Sequence, residues 1–188
     1  MSPVILSVGA KRRSRRIAII LSLASLTACG SASNSATNSA AASADAAPQH
    51  AHIGSVAPNW TEPKAGGGTL ELSSLKGKAV YLNFFATWCP PCNEEAPAIN
   101  ALQQKYAAQG LQVVGVDVLE NAAAAEKFRE EHKLAYPALA DSGTLRDEYN
   151  INGLPVHVFI DRAGIVKNIV IGELSPSEMD ENVQRIIR

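Results

Sequence analysis

Ala79-Val80-Tyr81-Leu82-Asn83-Phe84-Phe85-Ala86-Thr87-Trp88-Cys89-Pro90-Pro91-Cys92 is the stretch around which the rest of this 188-residue chain is organised. Its first eight residues are almost continuously apolar, which suits a strand covered on both faces. The helix-forming segment Asn93 to Ala108 follows the second cysteine. The first sulfur therefore falls at a helix N-terminus, where unpaired backbone N–H groups and the helix dipole favour negative charge. Cys89 is the thiol expected to ionise. A thiolate attacks disulfides, and Cys92, three residues on, can close a small ring that ejects a bound partner. That combination is a reversible electron-pair carrier. Two blander readings compete with it. A zinc site needs two further ligands at workable spacing, and of three cysteines only Cys29 remains, 60 residues upstream of Cys89. A purely structural disulfide between residues three apart closes too short a loop to restrict the unfolded chain much.

Downstream, Gly110 stops the helix and Leu111 to Val118 reads as a second buried strand. Ala122 to Lys133 is predicted as a helix, Tyr136 to Leu139 as a short extended piece, and Ser142 to Tyr149 as a helix of two turns. Val156 to Asp161 and Val166 to Ile171 flank the turn Arg162-Ala163-Gly164 and form an antiparallel hairpin. Ser175-Pro176-Ser177-Glu178 has the signature of a capping box opening a last helix. Upstream, Ala57-Pro58-Asn59-Trp60, the Gly66-Gly67-Gly68 turn and the alternating Thr69 to Leu72 suggest an N-terminal hairpin, and Ser73 to Lys78 a turn into the central strand. The pattern is a βαβ unit followed by ββα.

The N-terminus has a different purpose. The cationic cluster Lys11 to Arg16 precedes the apolar run Ile17 to Leu26, whose 10 residues are too few for a permanent bilayer span. That is the layout of an export signal, with residues 1–28 as the cleaved segment. Leu26-Thr27-Ala28-Cys29-Gly30 resembles the lipobox of bacterial lipoproteins, which implies lipidation of Cys29; the alternative is an ordinary cleavage site beside an unmodified cysteine. Lipidation leaves one working cysteine pair and no stray thiol. Residues 29–52 are rich in Ser, Ala and Asn and read as a flexible tether, closed by His50 and His52, with the folded domain at 53–188. Five of the 17 basic residues precede Cys29, so the remainder carries a net charge of about −6, which disfavours nucleic-acid binding.

From Ala57 to its C-terminus the chain resembles extracytoplasmic thioredoxin-like proteins of the TlpA/ResA type. The features that carry the resemblance are Ala57 to Trp60, Leu72 to Lys78, Asn83 to Cys92, Gly153-Leu154-Pro155 and Phe159 to Gly164, in the family's order. It implies a thioredoxin fold, a central mixed sheet flanked by helices, with an added N-terminal β-hairpin. It also implies a cis Leu154-Pro155 peptide facing the sulfurs, leaving the Leu154 backbone free to pair with an extended substrate. Asn83 stands where cytosolic thioredoxins carry a buried, proton-transferring aspartate, six residues before the first cysteine. Glu95, three beyond Cys92 on the same helix face, matches a glutamate of ResA-like members and is the candidate proton acceptor for Cys92. A solvated first-turn glutamate is the competing reading, and it suits Glu94 better. Trp88 is expected to shield Cys89 and offer a flat substrate contact. Pro90-Pro91 departs from the dipeptides of ResA and TlpA, so no reduction potential transfers. His157 shares a strand face with Pro155 and either packs or tunes the sulfurs.

These features together imply a membrane-tethered, monomeric thiol:disulfide oxidoreductase outside the cytoplasm. Its only redox group would be the Cys89-Cys92 pair, with no other cofactor and no metal. By resemblance, its substrates are apocytochrome c haem-binding cysteines or the cysteines of a copper protein, and its electron donor is a membrane protein of the DsbD/CcdA kind. A copper carrier using the same cysteines and His157 is a non-enzymatic rival. A thiol peroxidase is disfavoured, because Thr87 lies only two residues before Cys89 and no proline precedes it in register.

Overall fold

The computed structural model describes residues 50–188; the expected signal 1–28, Cys29 and the tether up to residue 49 lie outside the described residues. A central sheet is built on β3 (Ala79–Phe85), every residue of which is buried. It pairs in parallel with β4 (Leu111–Asp117), Ala79 opposite Leu111 through Phe85 opposite Asp117. On its other side it pairs antiparallel with β6 (Val156–Ile160), which in turn carries β7 (Val166–Ile171). A short strand β5 (Ala138–Ala140) extends β4 in parallel, giving the spatial order β5-β4-β3-β6-β7. A separate hairpin of β1 (Thr61–Pro63) and β2 (Thr69–Glu71) stands before it, its strands connected through the glycine-rich turn. This is the mixed α/β, thioredoxin-like architecture with an added hairpin that the sequence implied.

Strand alternation divides the core in two. Tyr81 and Phe85 face one cluster, which holds Ile99 and Leu102 of helix α1 (Pro90–Tyr106), Phe128 of α2 (Ala122–Glu131), and Met179, Val183 and Ile186 of α4 (Pro176–Ile186). Leu82 and Phe84 face the other, with Trp60, and with Leu145 of the short helix α3 (Thr144–Glu148). Both faces of β3 are thus covered by side chains that a continuous apolar strand requires.

Several expected boundaries move. Helix α1 starts at Pro90, not Asn93, because a proline at the first helical position has no N–H to leave unpaired. It passes through a 3-10 turn to Gly110, whose φ of 81° is the left-handed stop. Helix α2 ends at Glu131, and α3 covers five residues rather than Ser142 to Tyr149. Leu72–Leu75 is a 3-10 helix where the end of a strand and the start of a turn were expected. The domain also begins before Ile53: the Ala51 N–H donates to the Glu148 carbonyl at 2.8 Å, and His50 Nδ1 lies 2.8 Å from the Asp147 carbonyl. Residues 50–52 therefore belong to the domain rather than to the tether.

The last helix opens as its sequence announced. Ser175 is the N-cap, its Oγ accepts from the Glu178 N–H, and the Glu178 carboxylate accepts in return from the Ser175 N–H at 2.8 Å. We expect Ser175→Ala to cost about 1 kcal/mol of stability, read as a lower urea midpoint with an unchanged slope; an unmoved midpoint would contradict the cap's contribution.

Candidate active site

The loop leaving β3 is fastened on both sides. Glu120 accepts from the Thr87 N–H at 2.5 Å and from the Thr87 hydroxyl at 2.7 Å. Asn93 Nδ2 donates to the carbonyls of Thr87 and Cys89 at 3.0 and 2.8 Å, and its Oδ1 lies 3.0 Å from His132 Nε2. Between these clamps Cys89 is the N-cap of α1, and its sulfur accepts from the Cys92 N–H at 3.4 Å. The helix N-terminus thus points a backbone donor at this sulfur, the arrangement that stabilises a thiolate there. Cys89 and Cys92 are joined as a disulfide, with residue exposures of only 3% and 2%.

The two cysteines differ in what they face. Cys89 lines an open groove of about 360 Å³ together with Trp88, Pro90, Leu119, Arg146 and Leu154, while Cys92 is not part of its wall. Trp88 is 62% exposed, so it stands over the groove as a contact surface rather than burying the sulfur under its ring. Leu154 is half-buried in the wall; the Leu154-Pro155 peptide is cis, and Pro155 is buried with its carbonyl accepting from the Gly172 N–H at 2.9 Å.

Glu95 opens to a different side. It forms part of a recess of about 400 Å³ between α1 and the start of α4, rimmed by Glu94, Glu173 and Ser175. Glu94 and Glu173 are exposed, whereas Glu95 is buried. Its Oε1 accepts from the Leu174 N–H at 2.6 Å, and Oε2 lies 3.4 Å from His157 Nε2. Burial pushes its carboxyl up to about 7, opposed by the Leu174 donor and assisted by the nearby Glu173 charge. His157 is fully buried and held down at about 4 by desolvation, so it is neutral near pH 7. Its Nδ1 meets the Tyr81 hydroxyl at 2.8 Å. Among the described residues, no group of three or more His, Cys, Asp and Glu side chains is arranged to hold a metal ion.

Comparisons with known proteins fit this geometry. The AhpC/TSA family model matches residues 53–169. A thiol-disulfide oxidoreductase ResA of Bacillus cereus is 36% identical over 135 residues, covering 71% of this chain and 78% of its own length. The chain belongs to the AhpC/TSA family, as a thiol-disulfide oxidoreductase of the ResA/DsbE type. The Bacillus subtilis ResA is 34% identical over 71% of this chain and 75% of its own. Among solved structures, a thiol:disulfide interchange protein from Chlorobium tepidum superposes with a TM-score of 0.66 at 31% identity, covering 77% of this chain and all of its own. A secreted Mycobacterium tuberculosis disulfide oxidoreductase homologous to Escherichia coli DsbE gives 0.62 at 26% identity, covering 67% and 95%.

In this ResA-type oxidoreductase several residues around the disulfide loop have no motif to announce them. Leu119 is exposed and held at φ 75°, an uncommon backbone for a leucine, at the groove's edge. Arg146 is the one cation among the groove's lining residues. Asp117, at the end of β4, has no solvent exposure, and neither carboxyl oxygen has a hydrogen-bond donor. Burial, then the neighbouring Glu120 carboxylate, pushes Asp117 up to about 8. Its only sequence signal was an acid closing an apolar strand, two residues short of the exposed Leu119.

That shift has a signed consequence. A carboxyl whose folded-state value is raised contributes stability that is complete below its unfolded value and is lost as pH rises through the folded one. The protein should therefore lose melting temperature between about pH 5 and 8, and Asp117→Asn should flatten that fall. Parallel curves for the two proteins, followed by calorimetry, would count against a raised Asp117.

Proposed function

We propose that this oxidoreductase reduces protein disulfides outside the cytoplasm, as a monomer held at a membrane through lipidated Cys29. The observation that carries the chemistry is an asymmetry: Cys89 lines an open groove, Cys92 does not, and Glu95 follows Cys92 by one helical turn. The thiolate of Cys89 attacks a substrate disulfide laid in the groove, forming a mixed disulfide and releasing one substrate thiolate. Cys92 gives its proton to the Glu95 carboxylate and attacks the Cys89 sulfur. The Cys89–Cys92 bond forms, the second substrate thiolate leaves and takes a proton from water, and two electrons have passed to the substrate. The acidic recess gives Glu95 a route for returning its proton to solvent. Trp88 and the Leu154 backbone grip the extended substrate, and buried Pro155 shapes that wall.

Apocytochrome c haem-binding cysteines, or the cysteines of a copper site, are the substrates most in keeping with the ResA and DsbE likeness. A membrane donor of the DsbD/CcdA kind returns the pair to its dithiol form. Among the described residues no helix is long and apolar enough to cross a membrane; the anchor in this reading rests on the lipobox-like sequence at Cys29.

The direction of electron flow is tested by the reduction potential of the Cys89/Cys92 pair in glutathione or dithiothreitol buffers. We expect a value near or below about −270 mV; one near about −120 mV would make the protein an oxidant. The proton role is tested separately. Because Glu95 accepts a proton only when ionised, resolution of the mixed disulfide should slow as pH falls through about 7. Glu95→Gln should lower the resolving rate by about 100-fold and remove that inflection. An unchanged rate and pH profile would withdraw Glu95 from the mechanism.

A further inference from the structure

Behind Glu95 lies a buried chain of polar side chains that the exchange reaction does not itself require. Tyr81 and Asn83 come from β3, His157 from β6 and Glu95 from α1, all enclosed at 7% exposure or less. Polar groups so placed are costly unless each finds a partner, and here Glu95 Oε2 and His157 Nε2 are the two atoms left without one. The Tyr81 hydroxyl lies 2.8 Å from His157 Nδ1, and Asn83 Nδ2 approaches the same nitrogen at 3.5 Å. Tyr81 is buried and its ionisation is opposed by desolvation, so its oxygen keeps its hydrogen. The Asn83 amide N–H can only donate, and with the Tyr81 hydroxyl turned the same way Nδ1 is the acceptor, so that a neutral imidazole carries its hydrogen on Nε2. Nε2 in turn lies 3.4 Å from Glu95 Oε2, close but without a formed hydrogen bond on either atom, while the other oxygen, Oε1, accepts from the Leu174 N–H.

We propose that His157 is a positioning residue for the exchange reaction: held by Tyr81 and Asn83 in the Nε2–H form, it sets an N–H dipole 3.4 Å from the otherwise unpartnered Glu95 Oε2 and favours the carboxylate. A protonated Glu95 would carry its hydrogen on Oε2, since Oε1 accepts from Leu174, and would meet the Nε2–H head-on. The neutral acid is thereby penalised, and the carboxylate that must receive the Cys92 proton is maintained against its own burial. The other charged and titratable groups facing this cluster are exposed Glu173, whose charge acts the opposite way on Glu95, and Glu94 on the rim of the same recess. Tyr136, from the β5 side, is buried and kept neutral by desolvation, and the Gly172 backbone favours the protonated imidazole. None of these supplies Oε2 with a donor.

The inference rests on the proton-accepting role proposed for Glu95, and the experiment separates the two. On the full chain, the pH profile of mixed-disulfide resolution is compared for the native protein, Glu95→Gln, His157→Phe, His157→Gln and Tyr81→Phe, with an aromatic disulfide as the probe substrate. His157→Phe keeps the ring volume but loses the donor, and should raise the midpoint of the inflection by about one pH unit. Tyr81→Phe frees the tautomer and should raise it by less, whereas His157→Gln, whose amide N–H reaches the place of Nε2–H, should bring it back. Nitrogen-15 shifts of the imidazole should report Nε2–H in the native protein, and Nδ1–H there would overturn the proposal. If Glu95→Gln loses the inflection but His157→Phe leaves its midpoint in place, the role of His157 fails alone. If Glu95→Gln also keeps the native profile, the Glu95 mechanism fails first. Should His157→Phe not fold, the Tyr81→Phe midpoint and the nitrogen shifts decide: an unmoved midpoint with Nδ1–H rejects the lock.

Discussion

The parallel ladder between β3 and β4 is the constraint on which the site depends. Seven residue pairs hold the two strands in register from Ala79 and Leu111 to Phe85 and Asp117, so both chains leave the sheet at one edge. Only because they leave together does Glu120, three residues past β4, reach back to fasten Thr87, two past β3. A one-residue slip would exchange the side chains of the two core faces, and the fit of Tyr81 and Phe85 on one and Leu82 and Phe84 on the other opposes it. Antiparallel β6 closes the other flank of β3, setting His157 opposite Asn83. The register of three strands thus fixes what surrounds the disulfide before any site residue makes a contact of its own.

Much of this was legible in the sequence where a signal is local. The continuous apolar run of β3, the proline opening α4, Gly110 after the first helix, and the reciprocal Ser175/Glu178 cap each act within a few residues, and each appears as read. The Cys-x-x-Cys pair is of the same kind, since its meaning comes from what adjoins it. Glu95 was reachable because helical spacing places it near Cys92. What stayed hidden are relations across the sheet. Asp117 looked like an ordinary strand-ending acid, and nothing in its neighbours disclosed that it would be sealed beside Glu120. His157 was placed on the correct strand face, but its partners lie 76 and 62 positions away in sequence, where no periodicity reaches. The edge strand β5 was read as a short extended piece at Tyr136 to Leu139, but its pairing with β4 was not, because three residues of Ala-Leu-Ala have little character until β4 accepts them.

The surroundings of the disulfide combine two environments that oppose each other. On the groove side, exposed Trp88 and Leu119 and a single cation, Arg146, provide an apolar face with little charge. On the recess side, three glutamates converge on α1 and the approach to α4. In the proposed reaction, protein partners and protons reach the same pair from different directions. Extended peptides with apolar side chains can lie against the first without disturbing the ionisation of the second.

The contact of residues 50–52 with the domain bears on the groove. Ala51 and His50 meet the carbonyls of Glu148 and Asp147 beside α3, and Arg146 of that helix lines the groove. Past them, the Gly54 and Ala57 N–H groups donate to the carbonyls of Val166 and Gly164, stitching the chain to β7 and the turn before it. The point where the chain enters the domain and the wall of the groove therefore share one short helix.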